Sequence, residues 1–238
     1  MIGYNVKEIN NLLEAIQDSY KQIKDAMDKP WDNLSDLMRK EWVGEDELAN
    51  ENTLANALSD LYQSCSETVN GVINNVHAIG DAWRQFQAGN TIEGGVSAGI
   101  DNIRKLMEIK VQSDTLDLFK GKKSHIDENA NLGLQNGLAS ASAISSGIDD
   151  YAKAVYAAVE KLYQDLDANK AFLGEDQAPK ITQYLHEMGK AIAKLTVCIK
   201  SVKEAIDKAA QAYKSQATST SDQVSGLKTD IDTDQAIV

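Results

Sequence analysis

Residue types able to do acid–base, thiol or metal chemistry are few in this chain, and their spacing does not assemble them. The three histidines are His77, His125 and His186. A metal pair on a helix needs two ligands about one turn apart. His186 has Lys190 at that step and His77 has Asp81, and a single His–Asp step is common on a solvated face. Cys65 and Cys198 are too few and too far apart for a disulfide framework or a metal knuckle. Both fall in helical pattern, Cys65 on an apolar seam and Cys198 beside it, which suits buried reduced thiols that fill core space. Glu45-Asp46 and Glu175-Asp176 read as negative charges at helix N-termini, where the dipole favours them. There is no glycine-rich phosphate loop, no nucleophile elbow and no paired-carboxylate constellation. The sequence thus predicts a binding protein rather than an enzyme, with no catalytic residue, metal or cofactor.

Composition narrows the class of partner. The formal charge is −12 over 238 residues, and no cluster of Lys and Arg stands out. Phosphate binding needs a basic surface, so nucleic acid is not expected as a ligand, nor is attachment to anionic lipid by electrostatics alone. The opening residues Met1 to Glu8 show no basic leader followed by an apolar run, and no ordinary signal peptide is expected. No segment approaches the roughly 20 apolar residues of a membrane span. Hydrophobic residues make up 42% while aromatics make up 6%, and there are only two prolines; that balance favours long helices, with essentially no strand.

The elements that would position any site are visible through a repetition. Trp42-Val43-Gly44-Glu45-Asp46 returns as Phe172-Leu173-Gly174-Glu175-Asp176, at an offset of 130. Each copy sits between two amphipathic helical patterns. The first runs Ile9, Leu13, Ile16, Tyr20, Ile23, Met27, Trp31, Leu34, Met38, Trp42; Pro30 is expected to kink or split it, and Gly44 to end it. The second follows a polar stretch in which Asn50, Asn52 or Thr53 can cap it, and runs from Leu54 through Leu58, Leu61, Cys65, Val69, Val72, Val76 and Ile79 to Trp83 and Phe86. Residues 89–137 read as a partly helical connector. A third pattern carries Ile144 to Leu166 and stops near Phe172 and Gly174. The fourth steps by four and three from Ile181 to Tyr213, with Asp176 as its cap and Pro179 in its first turn. The second and fourth helices align without a gap at the 130 offset, whereas the first and third differ in phase by about two residues. After about Ser215 a flexible tail is expected. Neither hairpin can bury its stripe alone. The expected fold is all-α: two helical hairpins, 1–88 and 138–215, packed antiparallel as an elongated four-helix bundle.

At its turn the chain resembles the WXG superfamily, the small helical hairpins exported by the type VII (ESX-like) secretion pathway of Gram-positive and mycobacterial bacteria. Trp42-Val43-Gly44 matches the Trp-x-Gly elbow letter for letter, and Phe172-Leu173-Gly174 departs from it by one aromatic exchange. Members pair as dimers of hairpins, so a fused tandem copy implies a pseudo-dimer within one chain. The resemblance also implies a secreted protein, made in the cytoplasm and released without a cleaved signal peptide. Its partners would be the secretion ATPase and possible WXG-like proteins. The family's Tyr-x-x-x-Asp/Glu signal lies near the partner's turn; the matching aromatics are Trp83 and Tyr213, but Gln87 and Ala217 stand where the acid belongs. Tyr156 to Glu160 and Tyr163 to Asp167 fit the spacing inside the third helix and read as chance.

Two other functions stay open on the sequence. Asn129 to Ile148 is uncharged and rich in Ala, Ser and Gly, which suits either a membrane-active helix or the small-residue contact face of the third helix. A cytoplasmic coiled-coil adaptor would have the same composition, with Trp42, Trp31 and Trp83 serving only to pack.

Overall fold

Four apolar seams, each one helix face wide, have to be removed from water together, and the chain achieves this as a bundle. The structure, a computed structural model, describes residues 6–88, 118, 133–169 and 178–234. Helix α1 spans Val6–Glu41, strand β1 Trp42–Val43, α2 Glu45–Ala88, β2 Gly133–Leu134, α3 Leu138–Asn169 and α4 Ala178–Asp234. Helix α1 packs chiefly along α3, and α2 along α4; the contacts within each hairpin are less extensive. Every neighbouring pair is antiparallel. Ser19 donates to Asp165 at 3.0 Å while Glu41 meets Ser140, and Cys198 reaches the Thr53 carbonyl while the Tyr184 ring covers Gly71.

The seam residues read from the sequence form the core. All ten from Ile9 in α1 to Trp42 in β1 are buried, and in α3 all seven from Ile144 to Leu166. The duplication is written in the burial as well. At an offset of 128, Ile16, Met27, Leu34 and Met38 fall on Ile144, Val155, Leu162 and Leu166, all at 5% exposure or less. At 130, Leu58, Cys65, Val72 and Val76 fall on Met188, Leu195, Val202 and Ile206, all within 1% of fully buried. The two-residue phase difference between those offsets is the one expected from the sequence.

Helix α4 departs from its seam. Ile192, Ile199 and Ala209 are only half-buried, Cys198 and Ala210 are buried, and Tyr213 is 45% exposed. A strict seven-residue repeat drifts by about 20° per heptad on a straight helix, so over many heptads the core passes to neighbouring positions. The same helix corrects the expected tail. Its backbone continues to Asp234, with residues 211–220 exposed throughout. No proline interrupts it, and Ser215, Thr218 and Thr220 bond back to the carbonyls four residues earlier, keeping their hydroxyls within the helix.

Three further expectations are refined. Of the two outcomes expected at Pro30, a kink or a split, the split does not occur, and α1 runs on through it. The proline removes one amide from the ladder and crowds the carbonyls of the preceding turn. Beside it the Tyr151 hydroxyl donates to the Met27 carbonyl at 2.6 Å, and the Tyr151 ring meets Trp31 edge-on at 5.8 Å. The Trp31 indole in turn donates to the carbonyl of Leu118, a buried residue from the chain between α2 and β2. Second, α2 begins at Glu45, so Asn50 and Thr53 are not caps; they bond to the carbonyls of Asp46 and Ala49 within the helix. Third, a two-residue antiparallel ladder pairs Trp42 with Leu134 and Val43 with Gly133. The expected break near Phe172 and Gly174, and the cap Asp176, lie outside the described residues.

Removing the tyrosine hydroxyl isolates this contact beside the proline. Tyr151→Phe keeps the ring and deletes one buried hydrogen bond, so urea unfolding should show a loss of about 1 kcal/mol. An unchanged midpoint would contradict the role given to the hydroxyl.

Candidate functional site

The elbow between α1 and α2 concentrates the sequence motif and most of the unusual polar chemistry of the described residues. Trp42 and Val43 leave the helix in extended conformation and are 2% and 8% exposed. Gly44 follows with φ +152°, a conformation that side chains rarely adopt, and α2 starts at the next residue. Glu45, Asp46 and Glu47 occupy the first turn of α2, where the helix dipole favours acidic residues.

A second segment closes over this elbow. The Gln135 amide donates to the Glu41 carbonyl at 2.8 Å, continuing the ladder of Trp42 and Leu134. The Glu41 carboxylate accepts from the Ser140 hydroxyl at 2.5 Å and from the Asn136 amide at 3.0 Å. Helix α3 has no acidic residue in its own first turn, so Glu41 brings a negative charge to its N-terminus from another helix. The hydrogen bonds from Ser140 and then Asn136 hold its carboxyl below the ordinary range. Tyr213 of α4 completes the cover. Its ring lies over the backbone of the turn, where a Cβ at Gly133 or Gly137 would meet it at 3.5 or 3.6 Å.

Beneath the elbow lies a charged cluster that the sequence reading missed. Arg39 donates from Nε to Glu51 at 2.8 Å; its side chain is 13% exposed and that of Glu51 is fully buried. Glu47, one turn before Glu51, is 1% exposed. Burial pushes the Glu47 carboxyl up to about 8, aided by the Glu51 charge and hydrogen bond and opposed by Arg39. Three atoms of the cluster, Arg39 Nη2, Glu47 Oε1 and Glu51 Oε1, are buried with no hydrogen-bond partner. A signal for this existed: Glu47, Glu51, Leu54, Leu58 and Leu61 continue the four-three seam backwards, which puts both carboxylates at core positions.

The remaining residues singled out by sequence are scattered. The side chain of Trp83 and the residues Phe172 and Gly174 lie outside those described. Tyr156 shares a hydrogen bond with Thr196 at 2.9 Å, an α3–α4 contact. Tyr163 and Asp167 line an open groove of about 530 Å³ between α3 and α4, with Leu185, His186, Gly189 and Lys190. Lys190 is paired with Glu187 there at 2.8 Å. Cys65 and Cys198 are free and buried, and burial pushes the Cys65 thiol up to about 12, which keeps it from acting as a thiolate. His77 and His125 carry no described side chain, and among the described residues no group of three His, Cys, Asp or Glu could hold a metal. Residues 138–148 of the small-residue segment lie in α3, where Gly147 lets Leu37 and Leu34 approach to 3.1 and 3.3 Å of a would-be Cβ. No described helix is long and apolar enough to cross a membrane.

Two outcomes test this geometry. Nothing lies within 4 Å of a Cβ built on Gly44, so Gly44→Ala should be destabilising by backbone strain alone, about 1–3 kcal/mol in urea unfolding, with no change in helix content. The lowered carboxyl of Glu41 contributes stability that is present above its ordinary value and lost as pH falls through its folded one. Glu41→Gln should therefore lose less stability than the wild type when melting curves at pH 7 and pH 3 are compared.

Comparison with family models, with curated proteins and with solved structures finds no match to this chain.

Proposed function

We propose that the chain is a secreted tandem hairpin of a type VII (ESX-like) pathway, acting as an export substrate or partner-binding module in which each hairpin serves as the other's dimer partner. The observation that carries this reading is the seat of Tyr213. In the resemblance, the aromatic after the second helix lies near the partner's Trp-x-Gly turn. Here Tyr213 follows the core segment of the second hairpin, and its ring rests on the 133–137 turn whose residues pair with Trp42 and Val43 of the first. One chain thereby brings together the two halves of a signal that separate chains would otherwise contribute.

The burial of Trp42 divides the labour within that site. At 2% exposure its indole seals the end of the core, and the surface left for a partner is Tyr213 with the exposed helix that follows it. Ala217 stands where the signal's acid would be, so this reading joins the chain to a partner that carries the full motif or to an ATPase that tolerates its loss. The membrane-active alternative would require Ile144 and Ile148, 0% and 1% exposed, to leave the core.

Export is the readout. The protein should appear in the medium with its N-terminus unprocessed, and deletion of the pathway's ATPase should abolish that; undiminished export in the deletion strain would refute the proposal. Tyr213→Ala should cut export severalfold while leaving the circular dichroism melt nearly unchanged, because the ring is half-exposed. Equal export of wild type and variant would remove Tyr213 from the signal.

A further inference from the structure

The cluster under the first elbow is an expensive arrangement for a junction that could have been built from leucine. Three ionisable side chains are withdrawn from water across the α1–α2 boundary, and only one ion pair joins them. A buried pair is worth keeping only if its remaining polar atoms are satisfied; with both carboxylates deprotonated one atom on each member is orphaned, and a proton shared by Glu47 and Glu51 supplies the hydrogen bond between them. With one proton held between the two carboxylates, the charge of the cluster is balanced by Arg39. Without it, a net negative charge stays buried beneath a strained glycine turn.

We propose that Arg39, Glu47 and Glu51 form a proton-dependent latch, closed while one proton is held between the two carboxylates and loosened when it leaves, so that the elbow is firmest in acidic medium and loosest above neutrality. The groups around Glu47 leave it little alternative. The charges acting on it are Glu51 from its own helix and Arg39 from α1. By the register of Cys198 with Thr53, α4 passes this level near residue 204, where Lys203 is engaged with Asp149 and Glu204 with Lys200. Helix α3 begins here with buried Ser140 and Ala141, and β2 offers Gly133 and Leu134; none of these titrates. The Glu41 carboxylate nearby is committed to Ser140 and Asn136.

The sign follows from linkage. Glu47 holds its proton up to about 8 when folded, against the ordinary 4.5 when the elbow opens, so opening releases a proton between those values. The opening constant then rises with pH by up to about tenfold per unit and levels off above the folded value. Such a latch stays closed while the pH is below the folded value of Glu47 and loosens as the pH is raised past it. The latch does not depend on the secretion reading, which could fail while the latch stands.

Two measurements on the full chain decide it. Carbon-detected NMR of the glutamate carboxyls in the wild type should show one group titrating well above the others, assigned to Glu47 by its loss in Glu47→Gln. Hydrogen exchange, corrected for intrinsic rate, should show protection of residues 45–52 falling by at least tenfold between pH 6 and pH 8, while residues 13–27 hold theirs. In Glu47→Gln the pH dependence at 45–52 should vanish. If the wild type shows no glutamate titrating above pH 6, or if 45–52 is equally protected at both pH values, the latch is overturned. The NMR result stands on the wild type alone, even if the variant fails to fold.

Discussion

The structure depends on one constraint: four helices each carry a single apolar stripe, and no hairpin can cover its own. Because the stripes run the length of the helices in a four-three rhythm, the only partners long enough to bury them are one another. The strongest pairings therefore join the hairpins, α1 to α3 and α2 to α4. Polar contacts add register at the margins, among them Ser19 with Asp165, Lys203 with Asp149 and Lys194 with Asp60. The exposed ion pair Lys194–Asp60 contributes little stability. The worth of these contacts lies in fixing which turn of one helix faces which turn of the next.

The elbow inherits its character from that packing. Once α1 and α3 run antiparallel, the C-terminal end of α1 lies against the N-terminal end of α3, and Glu41 can serve a helix to which it does not belong. The chain entering α3 must then pass the elbow closely enough to pair Leu134 with Trp42. Helix α4, running past both, sets Tyr213 on that turn. The same crowding withdraws Glu47 and Glu51 from water. Glu41 and Glu47 pull stability in opposite directions with pH, the first losing its contribution on acidification and the second on alkalinisation. Two carboxyls, each three residues from Gly44, therefore give one junction opposite responses to pH.

Much of this was legible in the sequence, because periodicity reports burial directly. All ten residues of the first seam and the phase shift between first and third helices could be read from spacing, since a side chain's face is fixed by its position in a 3.6-residue turn. What escaped was governed by competition or distance. Asn50 and Thr53 looked like caps because short polar side chains favour helix starts, but Gly44 had already ended α1 and the acidic run 45–47 had already begun α2. Pro30 favours a kink or a split, yet α1 continues through it with Met27 and Trp31 buried on either side. The ladder to Gly133–Leu134 joins residues about 90 apart, and no local pattern encodes it. The buried charges were missed for a different reason: Glu47 and Glu51 lie on the seam, but their residue types argue for the surface. The Trp-x-Gly elbow was legible as a motif, whereas the seat of Tyr213 on the turn that pairs with that elbow needed the fold.

The central claim is that the two hairpins clasp each other within one chain. Its most direct test places thiols at Gln22→Cys and Lys161→Cys, in a Cys65→Ala, Cys198→Ala background, and treats dilute protein with a short bis-maleimide. Those exposed side chains meet across α1 and α3 at 3.3 Å, so cross-linking should be rapid, should stay within the monomer and should vanish in urea. Dimers joined between chains, or two thiols that both react without bridging, would contradict the clasp and everything built upon it.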